Sequence, residues 1–257
     1  MTGAGTQEDP YIVDNWPDLN TAMTISNSTY VELSPNTVID LNESVPEGFT
    51  SRIDWLGHLD GKGGTIRNLA TTAGKIFGTN GIEFKNLNFL NFRGSGGICE
   101  RINTNSSLTL YNCKFSGRLD NAGTLFMVYQ ISIRRCSFNI RCFGTGSITF
   151  SWWDRDDGMP LEYNRIEIHS STNSGFQTAD VANSYFTGEF AGAITAKGST
   201  NVIDCTCSQI TSSSSGTYIL VNSDKCTNIA SQSVIPVTEA QMIDAEYLES
   251  LGFPIQT

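Results

Sequence analysis

Apolar and polar residues alternate with period two in short runs along most of the chain. Thr37-Val38-Ile39-Asp40-Leu41, Ile82-Glu83-Phe84, Leu87-Asn88-Phe89, Leu108-Thr109-Leu110, Ile131-Ser132-Ile133, Ile148-Thr149-Phe150 and Ile166-Glu167-Ile168 show it. Successive side chains of a strand point to opposite faces, so each run predicts a short strand with one buried face. Gly, Asn, Ser and Asp separate the runs and supply turns. From Leu33 to about Ile229 no segment carries the 3.6-residue period of an amphipathic helix.

A longer period is superimposed. A polar residue, a small or apolar one, a polar and an apolar one return as Asn86-Leu87-Asn88-Phe89, Asn112-Cys113-Lys114-Phe115, Arg135-Cys136-Ser137-Phe138, Asn183-Ser184-Tyr185-Phe186 and Asp204-Cys205-Thr206-Cys207. Asn68-Leu69 and Asn228-Ile229 read as worn copies. The second position falls at 69, 87, 113, 136, 184, 205 and 229; Asn164-Arg165-Ile166 fills the long step after 136 poorly. Repetition at this spacing marks a solenoid, one coil per repeat. A coil cannot bury its inner face alone, but stacked coils can, and stacking also pairs every backbone amide with a neighbouring coil. The expected fold is therefore all-β, a single-domain parallel β-helix. Leu87, Cys113, Cys136, Ser184 and Cys205 are expected to form one inward column, with the preceding Asn or Asp stacked at a corner. A β-sandwich is the rival, and it offers no reason for the recurrence.

Open solenoid ends aggregate unless covered. Asn15 through Met23 reads as a short helix, with Asn15 as N-cap, Pro17 in the first turn and Trp16, Leu19 and Met23 on one face. Thr238-Glu239-Ala240-Gln241 is a capping box, placing a second helix to about Ser250 before Gly252 and Pro254. The division is residues 1–28 for the first segment and capping helix, 29–236 for the β-helix and 237–257 for the last helix and tail.

Composition narrows the functions. The net charge of −10 argues against a nucleic-acid binder, and no stretch approaches the length of an apolar membrane span. Seven cysteines lack a C-x-x-C pair, and the two histidines, His58 and His169, sit far from any cysteine pair in sequence. Buried small hydrophobes are the expected role of the thiols, and neither a metal nor a cofactor is expected. Met1 to Asp9 is small and polar, with no basic start and no apolar run, and does not read as a secretory signal.

Gly5-Thr6-Gln7-Glu8-Asp9-Pro10-Tyr11-Ile12-Val13, with the helix after it, resembles the opening of GLUG-type and related right-handed β-helix proteins of bacterial surfaces and bacteriophages. Leu59-Asp60-Gly61-Lys62-Gly63-Gly64-Thr65-Ile66-Arg67-Asn68-Leu69 resembles their L-D-G-x-G-x-x-I-x-N-L element, and Val237–Phe253 their closing helix. The middle of the chain follows only the general solenoid pattern. The resemblance implies a right-handed coil and a structural or attachment protein, often a homotrimer. Such architecture hosts lyases, hydrolases, adhesins and virion fibres alike. With no secretory signal read at the start, the expectation is a virion-surface protein, such as a capsid decoration, head-fibre or tail component. A bacterial cell-surface or secreted protein is the alternative location. Other virion proteins, further copies of the chain and host-surface carbohydrate are the expected partners.

Trp152-Trp153-Asp154-Arg155-Asp156-Asp157-Gly158 interrupts the repeat. Its plainest reading is a solvated polar turn. Its functional reading is glycan binding by Trp152, Trp153, Asp154 and Arg155, since indole faces stack on sugars. The alternative is a polysaccharide lyase or glycosidase with Asp154, Asp156 or Glu162 as the acid/base pair. Asp157 breaks the alternation that a D-x-D-x-D-G calcium loop requires. Asp60 reads as a turn side chain bonding its own backbone, and His58 as a partly buried structural histidine. His169 has no evident partner. Gly61-Lys62-Gly63-Gly64 reads as a tight turn, because no helix follows to bind phosphate. Thr211 to Gly216 reads as a polar corner, and Arg134, Arg135 and Arg141 as divided between faces.

Overall fold

The computed structural model describes residues 1–26, 28–41, 53–71, 76–101, 106–121, 123–128, 130–144, 148–151, 161–170, 175–180, 184–197, 201–212, 219–226, 228–229, 234–242 and 244–250. The chain is a parallel β-solenoid: every named strand pair in it is parallel, and strands inside a ladder pair with counterparts one coil earlier and one coil later. A ten-stranded sheet runs from Val38–Asp40 through Thr65–Arg67, Asn88–Ser95, Lys114–Asp120, Ser137–Cys142, Arg165–Ser170, Tyr185–Phe190 and Asn201–Thr206 to Ile219–Asn222 and Val234–Val237. The other sheet has thirteen strands and divides into two ladders. The division arises at Ile53–Asp60 and Phe77–Lys85, whose register shifts between Trp55 and Gly57. Phe77–Thr79 then pairs with Cys99–Arg101, and Ile82–Lys85 with Ser107–Tyr111. The second of these ladders continues through Gln130–Arg134 to Leu161–Glu162.

Alternation does what the sequence requires of it. On the ten-stranded sheet, Ile39, Ile66, Phe89, Phe115, Phe138, Ile166 and Phe186 occupy one register position, and all are buried. Phe89, Phe115 and Phe138 stack with centroids 5.2 and 5.3 Å apart and rings nearly parallel. That distance is set by the rung spacing, which holds like side chains in van der Waals contact. A matching column of Val31, Leu59, Phe84, Leu110 and Ile133 lines the other wall.

Both caps form. The helix Trp16–Ile25 begins where Asn15 accepts a hydrogen bond from the Asp18 N–H at 3.0 Å, and it buries Leu19, Ala22 and Met23. Trp16 meets Trp55 of the first long strand at 5.5 Å. Removing a side-chain N-cap costs about 1 kcal/mol, so Asn15→Ala is expected to lower the Tm by about 2–4 °C in a circular-dichroism melt. At the far end Thr238 and Gln241 exchange the bonds of a capping box, at 2.9 and 3.3 Å. One continuous helix was expected here; the structure has two, Glu239–Met242 and Ala245–Ser250. The second starts afresh because Asp244 accepts from the Tyr247 N–H at 3.0 Å and acts as its own N-cap.

The corner columns correct the expected register. Leu87, Cys113, Cys136 and Ser184 do share a position, but its further member is Asn164 rather than Cys205. Cys205 lies opposite Gly188, four residues further along the strand. The repeat found in sequence also merged two asparagine columns. Asn112 bonds Asn86 (2.7 Å), which bonds Asp60 (3.1 Å), at one corner. Asn91 bonds Asn68 (2.6 Å), which bonds Asp40 (2.7 Å), at another. Asn68, Asn86, Asn91 and Asn112 have φ between 49 and 60°, the left-handed region that asparagine tolerates better than most residues.

Candidate functional site

Two clusters on the outer surface carry chemistry. The first lies on the short ladder near the front of the solenoid. Tyr30, His58 and Glu83 occupy consecutive rungs at one outward position. The Tyr30 ring stacks on His58 at 4.2 Å, and His58 Nδ1 lies 2.5 Å from Glu83 Oε2. Lys85 reaches the other Glu83 oxygen at 2.8 Å. Two residues along, Glu32 and Asp60 hold Lys62 at 2.9 and 3.4 Å. The Asp60 carboxylate also accepts from the Lys62 N–H at 2.9 Å, as its turn position predicts.

Electrostatics limits what this cluster can do. Partial burial pushes the Glu83 carboxyl up, but Lys85 and His58 outweigh it and hold it below the usual range. Asp60 behaves likewise, with burial opposed by the Lys62 N–H, the Asn86 amide and the Lys62 ammonium. A glycosidase acid needs a carboxyl raised toward neutrality. Glu83 and Asp60 are held below the usual carboxylate range instead, paired with Lys85 and Lys62.

The second cluster lies on the outer face of the ten-stranded sheet. Arg93, Arg118, Arg141, His169, Glu189 and Thr206 follow one another at a single register position, one per rung. Neighbouring rungs are about 4.8 Å apart, so the arginines form a stripe along the solenoid axis, in which Arg93 and Arg118 share Asp120 at 3.5 and 2.8 Å. Arg118 bonds Asp120 at 2.8 Å and lies 4.1 Å from the centre of the Phe143 ring. His169 meets Glu167 at 2.8 Å, and Glu167 accepts from Asn139 at 2.9 Å. A depression of about 310 Å³ opens beside the stripe, and Arg141, Phe143, His169, Glu189, Phe190 and Thr206 are among the residues that line it. A concave lining of apolar residues with a few polar groups is the usual form of a small-ligand site.

Compared with family models, with curated proteins and with solved structures, the chain matches none.

The residues singled out from sequence are distributed unevenly. Trp152, Trp153, Asp154, Arg155 and Asp156 lie outside the described residues, as do Ser213 to Gly216. Glu162 ends the strand Leu161–Glu162, opposite Arg134. Arg134, Arg135 and Arg141 are divided between the short ladder, a corner and the ten-stranded sheet, as expected. His58 and His169 both have partners that the sequence reading missed. For His169 the signal was available: Glu167 lies two residues back in the same strand and so on the same face. Glu83 is 25 residues from His58, and Arg93 and Arg118 lie in other coils than Arg141. Only the rung register brings these together.

Proposed function

We propose that this chain is a non-enzymatic attachment protein of a virion surface, a capsid decoration, head-fibre or tail component. In this reading it binds an acidic host-surface glycan at the depression between Arg141 and Glu189. The observation that carries the ligand class is the arginine stripe running into a depression that Phe143 and Phe190 help to line. Guanidinium groups match carboxylates and sulfates in two-pronged geometry. A ring such as Phe143 offers an apolar face to the C–H side of a sugar. A rod of stacked coils holds these groups at fixed spacing, so little side-chain order has to be created on binding. The virion placement, a right-handed coil and assembly as a homotrimer rest on the resemblance of Gly5–Val13 and Leu59–Leu69 to phage and bacterial surface β-helices.

The test is binding of the full chain to uronate-containing, sulfated and neutral polysaccharides, with reducing ends assayed in the same mixtures. Retention of acidic glycans, weakened by salt and reduced about tenfold or more by Arg141→Glu, is the expected result. Equal retention of neutral glycans, or an R141E protein that binds as well as the parent, overturns the ligand class. Steady release of reducing ends overturns the non-enzymatic reading and favours a depolymerase.

A further inference from the structure

All seven cysteines are free thiols, and two of them face each other across neighbouring coils. Cys207 and Cys226 are parallel bridge partners, and their Sγ atoms are 3.1 Å apart. We propose that Cys207 and Cys226 are a redox-modifiable pair that closes to an inter-coil disulfide when the protein meets a small-molecule disulfide such as oxidised glutathione, stapling the last coils of the solenoid.

The geometry already satisfies the demanding part. Paired residues on adjacent parallel strands have Cα atoms about 4.8 Å apart, within the 4.4–6.8 Å span of disulfides. The sulfurs must approach by about 1 Å to reach bonding distance, which side-chain rotation supplies. The other facing pair is differently employed. Cys113 donates to the carbonyls of Phe84 and Tyr111, both at 3.4 Å, and Cys136 donates to Arg134 O at 3.2 Å while accepting from the Cys113 N–H. Oxidising that pair would strip a buried corner of its hydrogen bonds. Cys207 donates to Cys226, whose only further bond in the described residues is a long one of 3.7 Å to Asn228 O.

The chemistry is a two-step exchange. The Cys207 thiolate attacks one sulfur of the small disulfide and expels the first small thiolate. The Cys226 thiolate then attacks the Cys207 sulfur and expels the second. Two electrons pass from the protein to the oxidant, and the two cysteine protons end on the two released thiols. Each side chain is about 5% exposed. Burial and the adjacent sulfur also raise the Cys207 thiol above its usual pKa. The reaction is therefore slow at neutral pH and faster as pH rises, proceeding when the terminal coils open locally.

The experiment incubates the native full chain with oxidised glutathione at pH 8, without denaturant, and measures intact mass, thiol count and non-reducing peptide maps. The expected product has lost two hydrogens, retains five thiols, and yields one cross-linked peptide joining Cys207 to Cys226. Its Tm rises by about 5–10 °C and falls back on reduction. Cys207→Ser and Cys226→Ser each abolish the cross-link. Seven thiols still titrating, a lasting glutathione adduct on either residue, or a bond between any other pair overturns the proposal. A cross-link that leaves the Tm unchanged overturns the stapling role.

Discussion

Gly188→Ala is expected to lower the Tm by 10 °C or more, a loss of about 4 kcal/mol or more. Gly188 sits in the middle of Tyr185–Phe190, opposite Ile168 on one side and Cys205 on the other. Its φ is +128°, a conformation that L side chains rarely adopt. A methyl group placed there would lie 1.9 Å from the Ile168 carbonyl oxygen and 2.8 Å from its carbon. Both obstacles are backbone atoms of the adjacent rung, so no side-chain rotation relieves the overlap. The rungs must separate, with the hydrogen bonds of Arg165–Ser170 at stake, and Glu189 and Phe190 would move with them out of the candidate glycan site. Gly123→Ala is the control, because nothing lies within 4 Å of a methyl there; it is expected to change stability by less than about 1 kcal/mol. Thermal melts of the two variants decide the matter, and a G188A protein melting with the parent would show that this close approach does not exist in solution.

The same residue shows how far the sequence could be read. The apolar beat that places Phe89, Phe115, Phe138 and Phe186 in one column is local, repeats in each coil and needs no knowledge of the loops between. The helix starts were legible for a similar reason, since Asn15 and the Thr238–Gln241 box act within one helical turn. Gly188 was not legible, because a glycine is demanded by the neighbouring rung's carbonyl rather than by its own run. Cys205 was misplaced because Asp204-Cys205 mimics the corner unit while lying in mid-strand. The arginine stripe was invisible because Arg93, Arg118 and Arg141 occur at unequal spacings, an extra residue near Asn91 shifting the register. Of the candidate site, the sequence offered His169 and Arg141 as isolated residues; their shared depression with Phe143 is a product of coil stacking.

Asn164 stands where the corner column turns from apolar to polar, and Asn164→Ala is expected to cost about 4 kcal/mol. Its side chain is fully buried. Oδ1 accepts from the Cys136 N–H at 3.0 Å, and Nδ2 donates to Ile133 O at 3.0 Å. Its own N–H is accepted by Ser184 Oγ at 3.2 Å, as the Cys113 N–H is accepted by Cys136 Sγ at 3.5 Å. Cys136, Asn164 and Ser184 thus each take the backbone amide of the column residue one coil earlier. The long sequence step after 136 divides at Asn164 into spans of 28 and 20 residues, so a residue that looked like a poor repeat is a full member of the column. Truncation leaves one buried donor and one buried acceptor unpaired, at about 1–3 kcal/mol each, and opens a cavity besides. Asn164→Leu separates the two contributions, because it refills the volume with the side chain that heads the column at Leu87 but restores neither bond. Asn164→Ala is expected to melt about 8–16 °C below the parent, and Asn164→Leu a few degrees less far below it, because only the lost bonds remain. Cys136→Ser, which keeps a donor and an acceptor in place, is expected to lose about 1 kcal/mol. An N164L protein as stable as the parent would mean that the corner amide at Cys136 is satisfied without Asn164, and that the column works by packing alone.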